Sequence, residues 1–263
     1  IRKGRETGGL TRIDEVIIET YDRLQKLSGD DKSEYVGTPS GFGALDTILT
    51  GLNKSDLILV AARPGMGKTS FALNIATNVA VRSGKKVAVF SLEMSKEQLV
   101  GRILSSEALI QSGALRTGNL TPEDWTKLAM TAQMLSKAEI YIDDTPSITV
   151  ADIKAKLRRI GLVVVDSLQL MTSGRRSGDN RVLEISEITR GLKIMAKELN
   201  VPVITLSQLS RGPDSRQDHR PMLSDLRESG CIEQDADIVL FLYRDAYYDR
   251  ESEEQNVAEC IVA

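Results

Sequence analysis

Leu57-Ile58-Leu59-Val60-Ala61-Ala62-Arg63-Pro64-Gly65-Met66-Gly67-Lys68-Thr69-Ser70 is the stretch on which the rest of this 263-residue chain turns. Its first six residues are an unbroken apolar run of the length and branching expected of a strand covered on both faces. Behind the glycines, Phe71, Ile75 and Val79 recur at helical spacing. Gly65 and Gly67 can take backbone angles that let successive N–H groups converge on an anion, and Lys68 adds a point charge. Thr69 puts a hydroxyl where a magnesium ion sits beside bound phosphates, and the helix that starts there aims its positive end at the same place. The spacing departs from G-x-x-x-x-G-K-[ST] only at the first position, where Ala62 stands. Arg63, Pro64, Gly65, Met66, Gly67, Lys68, Thr69 and Ser70 are therefore the candidate nucleotide contacts.

Working outward, strands and helices alternate. Lys86 to Ser91 reads as a strand followed by Glu93, and Ser95 with Gln98 caps the next helix. Thr121 and Pro122 open another helix, in which Trp125 is expected to be a packing residue. Ile140 to Ile142 is a short strand, and Thr149 starts a helix to about Arg159. The link from that helix to Leu162–Val165 is very short for a crossover, as if residues were absent there. Polar tracts run from Ser173 to Arg181 and from Arg211 to Arg220. Between them lie an amphipathic helix through Ile185, Ile188, Leu192, Met195 and Leu199 and a buried strand, Val201 to Leu206. Asp237 to Leu242 is a further strand, and Val257 to Ala263 begins another. The alternation predicts an α/β fold, a twisted, mostly parallel sheet with helices on both faces.

In such a sheet the carboxyl ends of the strands line one crevice. Asp166, after Leu162–Val165, is the natural metal partner of Thr69. Glu93 closes a second strand and is placed to orient or deprotonate water. Gln208, at a third strand end, can report a bound γ-phosphate to the loop after it. The plain alternatives are a turn cap for Asp166, a solvated turn residue for Glu93 and a strand-end cap for Gln208.

Hydrophobic residues make up 41% of the chain, enough for a substantial core, and aromatics only 4%, so Ala, Val, Ile and Leu carry the packing. A net charge of -3 argues against a generally basic surface for nonspecific nucleic-acid binding and leaves room for a local basic site. Cys231 and Cys260 have neither disulfide nor zinc spacing and are expected to be small buried residues, and the single histidine, His219, excludes histidine-cluster metal chemistry. No apolar run reaches membrane-spanning length, and a soluble cytoplasmic protein is expected.

Residues 1–37 read as a linker segment and 38–263 as the main domain. Thr11 with Asp14 marks the start of an amphipathic helix over 11–27, with Ile13, Ile17, Tyr21, Leu24 and Leu27 on one stripe. A polar segment, Ser28 to Ser33, follows. The stripe must be buried, either on its own domain or on a neighbouring subunit.

Taken together, Ala62–Thr69, Ser91–Ser95, Leu162–Asp166 with Leu168-Gln169-Leu170, Ser207–Arg211 and Asp225–Asp237 resemble the RecA-like ATPase domain of the bacterial replicative DNA helicase, the DnaB family. The block Asp225-Leu226-Arg227-Glu228-Ser229-Gly230 followed by Ile232-Glu233-Gln234-Asp235-Ala236-Asp237 is the most specific, and Ala62 is usual for the family. The resemblance implies a homohexameric ring, joined through the helix over 11–27, that threads single-stranded DNA, unwinds duplex at the replication fork and moves 5'-3' on ATP hydrolysis at subunit interfaces. It implies that Lys68 and Thr69 bind phosphate and magnesium, Glu93 activates water, Asp166 completes the metal shell and Gln208 senses nucleotide state. Arg102 matches a position near the phosphates. Arg227, Glu228 and Gly230 match a pore loop that contacts the DNA backbone, with Arg175 and Arg176 as further local charge. A primase and a helicase loader are implied partners, and the cytoplasmic nucleoid is the implied location. The family also supplies a lysine and an arginine finger in trans from just beyond the strand that Val257–Ala263 begins.

Lys68, Thr69, Glu93 and Asp166 would serve a RecA-like recombinase equally well, and only the Arg227–Asp237 block favours the helicase. A nucleotide-switched ring module without unwinding activity would keep the phosphate cradle and not need Glu93.

Overall fold

The computed structural model describes residues 10–28, 36–174, 181–229, 232–249 and 251–263. By compactness the chain divides into two units, Ile1–Gly37 and Thr38–Ala263. In the first, α1 (Ile13–Leu27) carries Asp14 and Glu15 in its first turn and Lys26 in its last, complementing the helix dipole. It starts after Arg12 with no side-chain cap, so Thr11 is not the start signal the sequence suggested. Ile13, Ile17, Tyr21 and Leu24 are exposed along it.

The second unit runs through α2 (Gly43–Leu49), β1 (Leu57–Ala62), α3 (Lys68–Arg82), β2 (Val87–Ser91), α4 (Lys96–Ala108), α5 (Ser112–Thr117), α6 (Pro122–Leu135), β3 (Ile140–Asp143) and α7 (Val150–Lys156). It continues with β4 (Leu162–Asp166), α8 (Arg181–Leu199), β5 (Val203–Gln208), α9 (Ile232–Asp235), β6 (Ile238–Tyr243), α10 (Asp245–Tyr248) and β7 (Glu259–Val262). The strands form one sheet in the order β3-β2-β4-β5-β1-β6-β7, parallel except for β7, which runs antiparallel to β6.

Why β1 sits inside the sheet follows from its composition: all six residues are buried, and successive side chains feed opposite layers. Leu57, Leu59 and Ala61 join Ile185, Ile188, Leu192 and Met195 of α8, whereas Ile58, Val60 and Ala62 join Leu73, Ile75 and Val79 of α3 and Leu99 and Ile103 of α4. Burying each of these branched aliphatic side chains contributes about 1.5–3 kcal/mol, which fixes the strand that carries the phosphate loop.

Capping boxes at Ser95/Gln98, Thr121/Asp124 and Thr149/Asp152 start α4, α6 and α7, and all three threonine or serine caps were legible as start signals. α7 ends at Lys156 rather than near Arg159, because Leu157 is extended and Arg159 has φ of 51°. That early exit lets the short link turn back: Gly161 N–H donates to Lys86 O at 2.7 Å, and a Cβ at Gly161 would sit 2.8 Å from Lys85 Cβ.

Two packing expectations are overturned. Trp125 is 61% exposed, since α6 turns inward Thr131 and not the face that carries the indole. Cys260 is an exposed free thiol on the peripheral strand β7, and Cys231 lies outside the described residues.

Candidate nucleotide site

The phosphate loop leaves β1 at Ala62 and enters α3 at Lys68. Gly65 (φ 79°) and Gly67 (φ 94°) both lie in the left-handed region that disfavours side chains, which explains the glycines. Gly67 is the N-cap of α3 and makes no side-chain cap, so the helix's first N–H groups are not met by a capping side chain. Met66 is buried against the α3 layer and anchors the loop, whereas Pro64 and Ser70 are exposed.

Opposite this turn, β4 ends at Asp166, 2% exposed. Thr69 Oγ1 donates to Asp166 Oδ2 at 2.6 Å, and Asp166 Oδ1 is buried with no hydrogen-bond partner among the described residues. Burial pushes the Asp166 carboxyl up from its ordinary value, against the Thr69 hydrogen bond and the Lys68 charge, while Glu93 pushes it further up. Burial likewise pushes the half-buried Lys68 ammonium down, against the pull of Asp166 and Glu93. A hard cation with a hydroxyl and a carboxylate oxygen on offer fits this pair: it would meet the orphaned Oδ1 and relieve the charge that burial penalises.

Glu93 is brought in by the sheet. Leu92 N–H donates to Asp166 O at 2.6 Å, and Ser91 Oγ closes a turn onto Met94 by donating to its carbonyl at 2.7 Å. The carboxylate is exposed, and its charge reaches both Lys68 and Asp166. Arg102, on α4, also acts on Asp166. Gln208 stands in register with Ala62 at the end of β5, its side chain exposed, and Gln169 Nε2 donates to Ser207 Oγ beside it at 2.8 Å. The structure thus places Lys68, Thr69, Glu93, Asp166 and Gln208 at the carboxyl ends of the interior strands β1, β2, β4 and β5, with Arg102 of α4 acting on the same carboxylate.

Arg63 is different. Its guanidinium donates to both oxygens of Asp214, Nη2 to Oδ2 at 2.7 Å and Nε to Oδ1 at 3.2 Å, and Nη1 donates to Leu209 O at 3.1 Å. It is committed to the loop after Gln208. Asp214 had no signal in the sequence: 151 residues separate the pair, and an aspartate in a polar tract carries no pattern.

The segment matched to a pore loop is a 3-10 turn, Leu223–Ser229, held by buried Asp225 and Leu226. The side chains of Arg227 and Glu228 lie outside the described residues, as do Gly230, Arg175 and Arg176.

With this arrangement of P-loop, strand-end aspartate and trailing Asp225–Asp237 block established, comparison with known proteins is direct. Residues 37–263 match the family described as "DnaB-like helicase C terminal domain". The chain belongs to that family. "Replicative DNA helicase DnaB" of Geobacillus stearothermophilus and "Replicative DNA helicase DnaC" of Bacillus subtilis (strain 168) are each 54% identical over an alignment of 269 positions. The alignments cover 100% of this chain and 59% of each relative, so the chain spans about three-fifths of their length. A solved ATPase domain superposes with a TM-score of 0.89 at 41% identity, covering 97% of this chain and 91% of that one. A structure described as a DnaB-like replicative helicase and its interactions with primase gives 0.88 at 42% identity, covering 96% and 63%. The mostly parallel sheet is shared with the solved ATPase domain, and membership of the DnaB-like helicase family favours the helicase reading over the recombinase alternative.

Proposed function

We propose that this chain is the ATP-driven motor of a ring-forming replicative DNA helicase. The observation that carries the reading is the Thr69–Asp166 contact at the mouth of the phosphate loop, with Lys68, Glu93 and Arg102 acting on the same carboxylate. Lys68 and the N–H groups at the start of α3 are placed to bind the phosphates, and Thr69 with Asp166 would hold a magnesium ion, which when bound would supply charge to offset that on the phosphate oxygens. Glu93 takes a proton from the attacking water or orients it, which its exposure and its reach to Lys68 permit. Gln208 senses occupancy at the head of the loop that leads to Leu223–Ser229. Arg227, Glu228 and Gly230 contact the backbone of single-stranded DNA, a mode that accepts every sequence.

The 1–37 segment serves as a linker whose helix docks its stripe of Ile13, Ile17, Tyr21 and Leu24 on an adjacent copy in a homohexamer, and 38–263 is the ATPase domain. Movement is 5'-3', the partners are primase and a loader, and the site of action is the replication fork in the nucleoid. One of the solved relatives is a DnaB-like replicative helicase described with its interactions with primase, which supports that partner.

Native mass measurement of the protein with and without ATP, magnesium and a single-stranded oligonucleotide tests assembly and substrate together. A six-subunit species carrying the oligonucleotide is expected, and a monomer that ignores both ligands would refute the proposal.

A further inference from the structure

The Arg63–Asp214 pair is more than a surface ion pair. The Arg63 side chain is 14% exposed and Asp214 36%, both oxygens of the carboxylate are engaged, and a third donor reaches the carbonyl of Leu209, the residue after Gln208. Such a fork has one geometry, unlike a lysine contact. A second group sits on the same carboxylate: Tyr248 of α10 donates its hydroxyl to Asp214 Oδ1 at 3.0 Å. Burial and that hydrogen bond hold the phenol up at about 12, so it remains a donor. The Tyr248 ring is clamped by His219, stacked at 4.2 Å, and His219 Nδ1 lies 3.0 Å from Pro213 O.

The chain on the far side of Asp214 is equally fixed. Arg216 pairs with both oxygens of Asp225, which is 4% exposed, and Ser210 N–H donates to Asp225 O at 3.2 Å. Asp225 in turn belongs to the Leu223–Ser229 turn that carries Arg227. Two directional side-chain clasps, Arg63–Asp214 and Arg216–Asp225, joined by the two-residue step of backbone from 214 to 216, therefore link the first residue of the phosphate loop to the turn that carries Arg227.

We propose that Asp214 is a positioning residue whose clasp on Arg63, shared with Tyr248, makes the phosphate loop and the Arg227 segment shift together, so that nucleotide occupancy sets affinity for single-stranded DNA. The inference rests on the proposed helicase reading and adds the element that couples its two sites. A coupling needs two sites biasing one structural element, and here that element is the Leu209–Asp225 loop, gripped at both ends.

The test is the coupling factor: the ratio of oligonucleotide Kd measured without and with a non-hydrolysable ATP analogue, in the assembled protein. Couplings of this kind are about 5–150-fold. Asp214→Asn is expected to bring the factor to about twofold or less while the analogue still binds, and Tyr248→Phe, which keeps the His219 stack and loses only the hydroxyl, to reduce it partway. Linkage requires the same change in the ratio of analogue Kd with and without oligonucleotide. A wild-type factor that survives in both variants overturns the clasp, as does an Asp214→Asn protein in which both affinities fall and their ratio does not. Wild-type protein that binds the oligonucleotide with no coupling overturns the clasp alone, whereas wild-type protein that binds no oligonucleotide overturns the helicase reading and the clasp with it.

Discussion

Thr69 and Asp166, 97 residues apart, meet at 2.6 Å, the threonine hydroxyl donating to one carboxylate oxygen while the other is buried with no hydrogen-bond partner among the described residues. Burial raises the Asp166 carboxyl, and a group whose folded value is raised gives its full stability below the unfolded value and loses it as pH rises through the folded one. Once ionised, the buried carboxylate therefore weakens the fold until a cation meets it. Magnesium with nucleotide at about 100 times its Kd should add about 2.7 kcal/mol in wild type. Asp166→Asn should lose most of that gain and melt no lower than wild type when magnesium is chelated. Thermal melts with and without chelator decide it, and an undiminished magnesium response in the variant would contradict the metal assignment.

Glu93 acts on Lys68 and Asp166 by charge and, among the described residues, makes no hydrogen bond to either, which leaves its carboxylate free to meet water. Glu93→Gln should lower ATP turnover by about 10²–10⁴-fold with nucleotide affinity hardly changed. Steady-state phosphate release and equilibrium binding of a fluorescent nucleotide separate the two. Turnover near the wild-type rate would remove Glu93 from the chemistry.

Arg227 lies on the Leu223–Ser229 turn, whose Leu226 is anchored in the core. Arg227→Ala should weaken single-strand binding alike for different sequences and flatten the slope of log affinity against log salt by about 0.7. Anisotropy titrations across a salt series give that slope. Identical slopes for the two proteins would take Arg227 off the DNA.

Asp143 at the end of β3 pairs with Lys156 of α7 at 2.6 Å. Burial pushes its carboxyl up, but the Lys156 contact and the Thr145 hydrogen bonds outweigh it and hold the group down at about 2. A depressed carboxylate contributes stability that is present above its unfolded value of 3.8 and is lost as pH falls toward 2. The pair is partly solvated, so the contribution is about 1 kcal/mol at most. Asp143→Asn should be less stable than wild type at pH 6 and indistinguishable from it near pH 2, by denaturant titration at the two pH values. A gap that persists in acid would assign the loss to packing.

Much of the fold could be read from local pattern. The apolar run of β1, the glycines at positive φ and the three capping boxes act over a few residues, and such signals survive in the sequence because their partners are near in the chain. Trp125 and Cys260 were misjudged for the converse reason. Apolar character says a side chain gains from burial, and only the packing of α6 and the edge position of β7 say whether it is buried.

By itself the sequence determined that the chain is an alternating α/β domain with a phosphate loop and that carboxylates follow two of its strands. The sequence already paired Thr69 with Asp166 around a metal; the tertiary structure alone decided that Arg63 would be held by Asp214 and that Gln169 would brace Ser207. Parallel strand order sets those meetings: β1 lies beside β5 and β4 beyond it, although the chain visits β2, β3 and β4 before β5. Contacts between the ends of such strands depend on which crossover packs where, and no period in the chain encodes that.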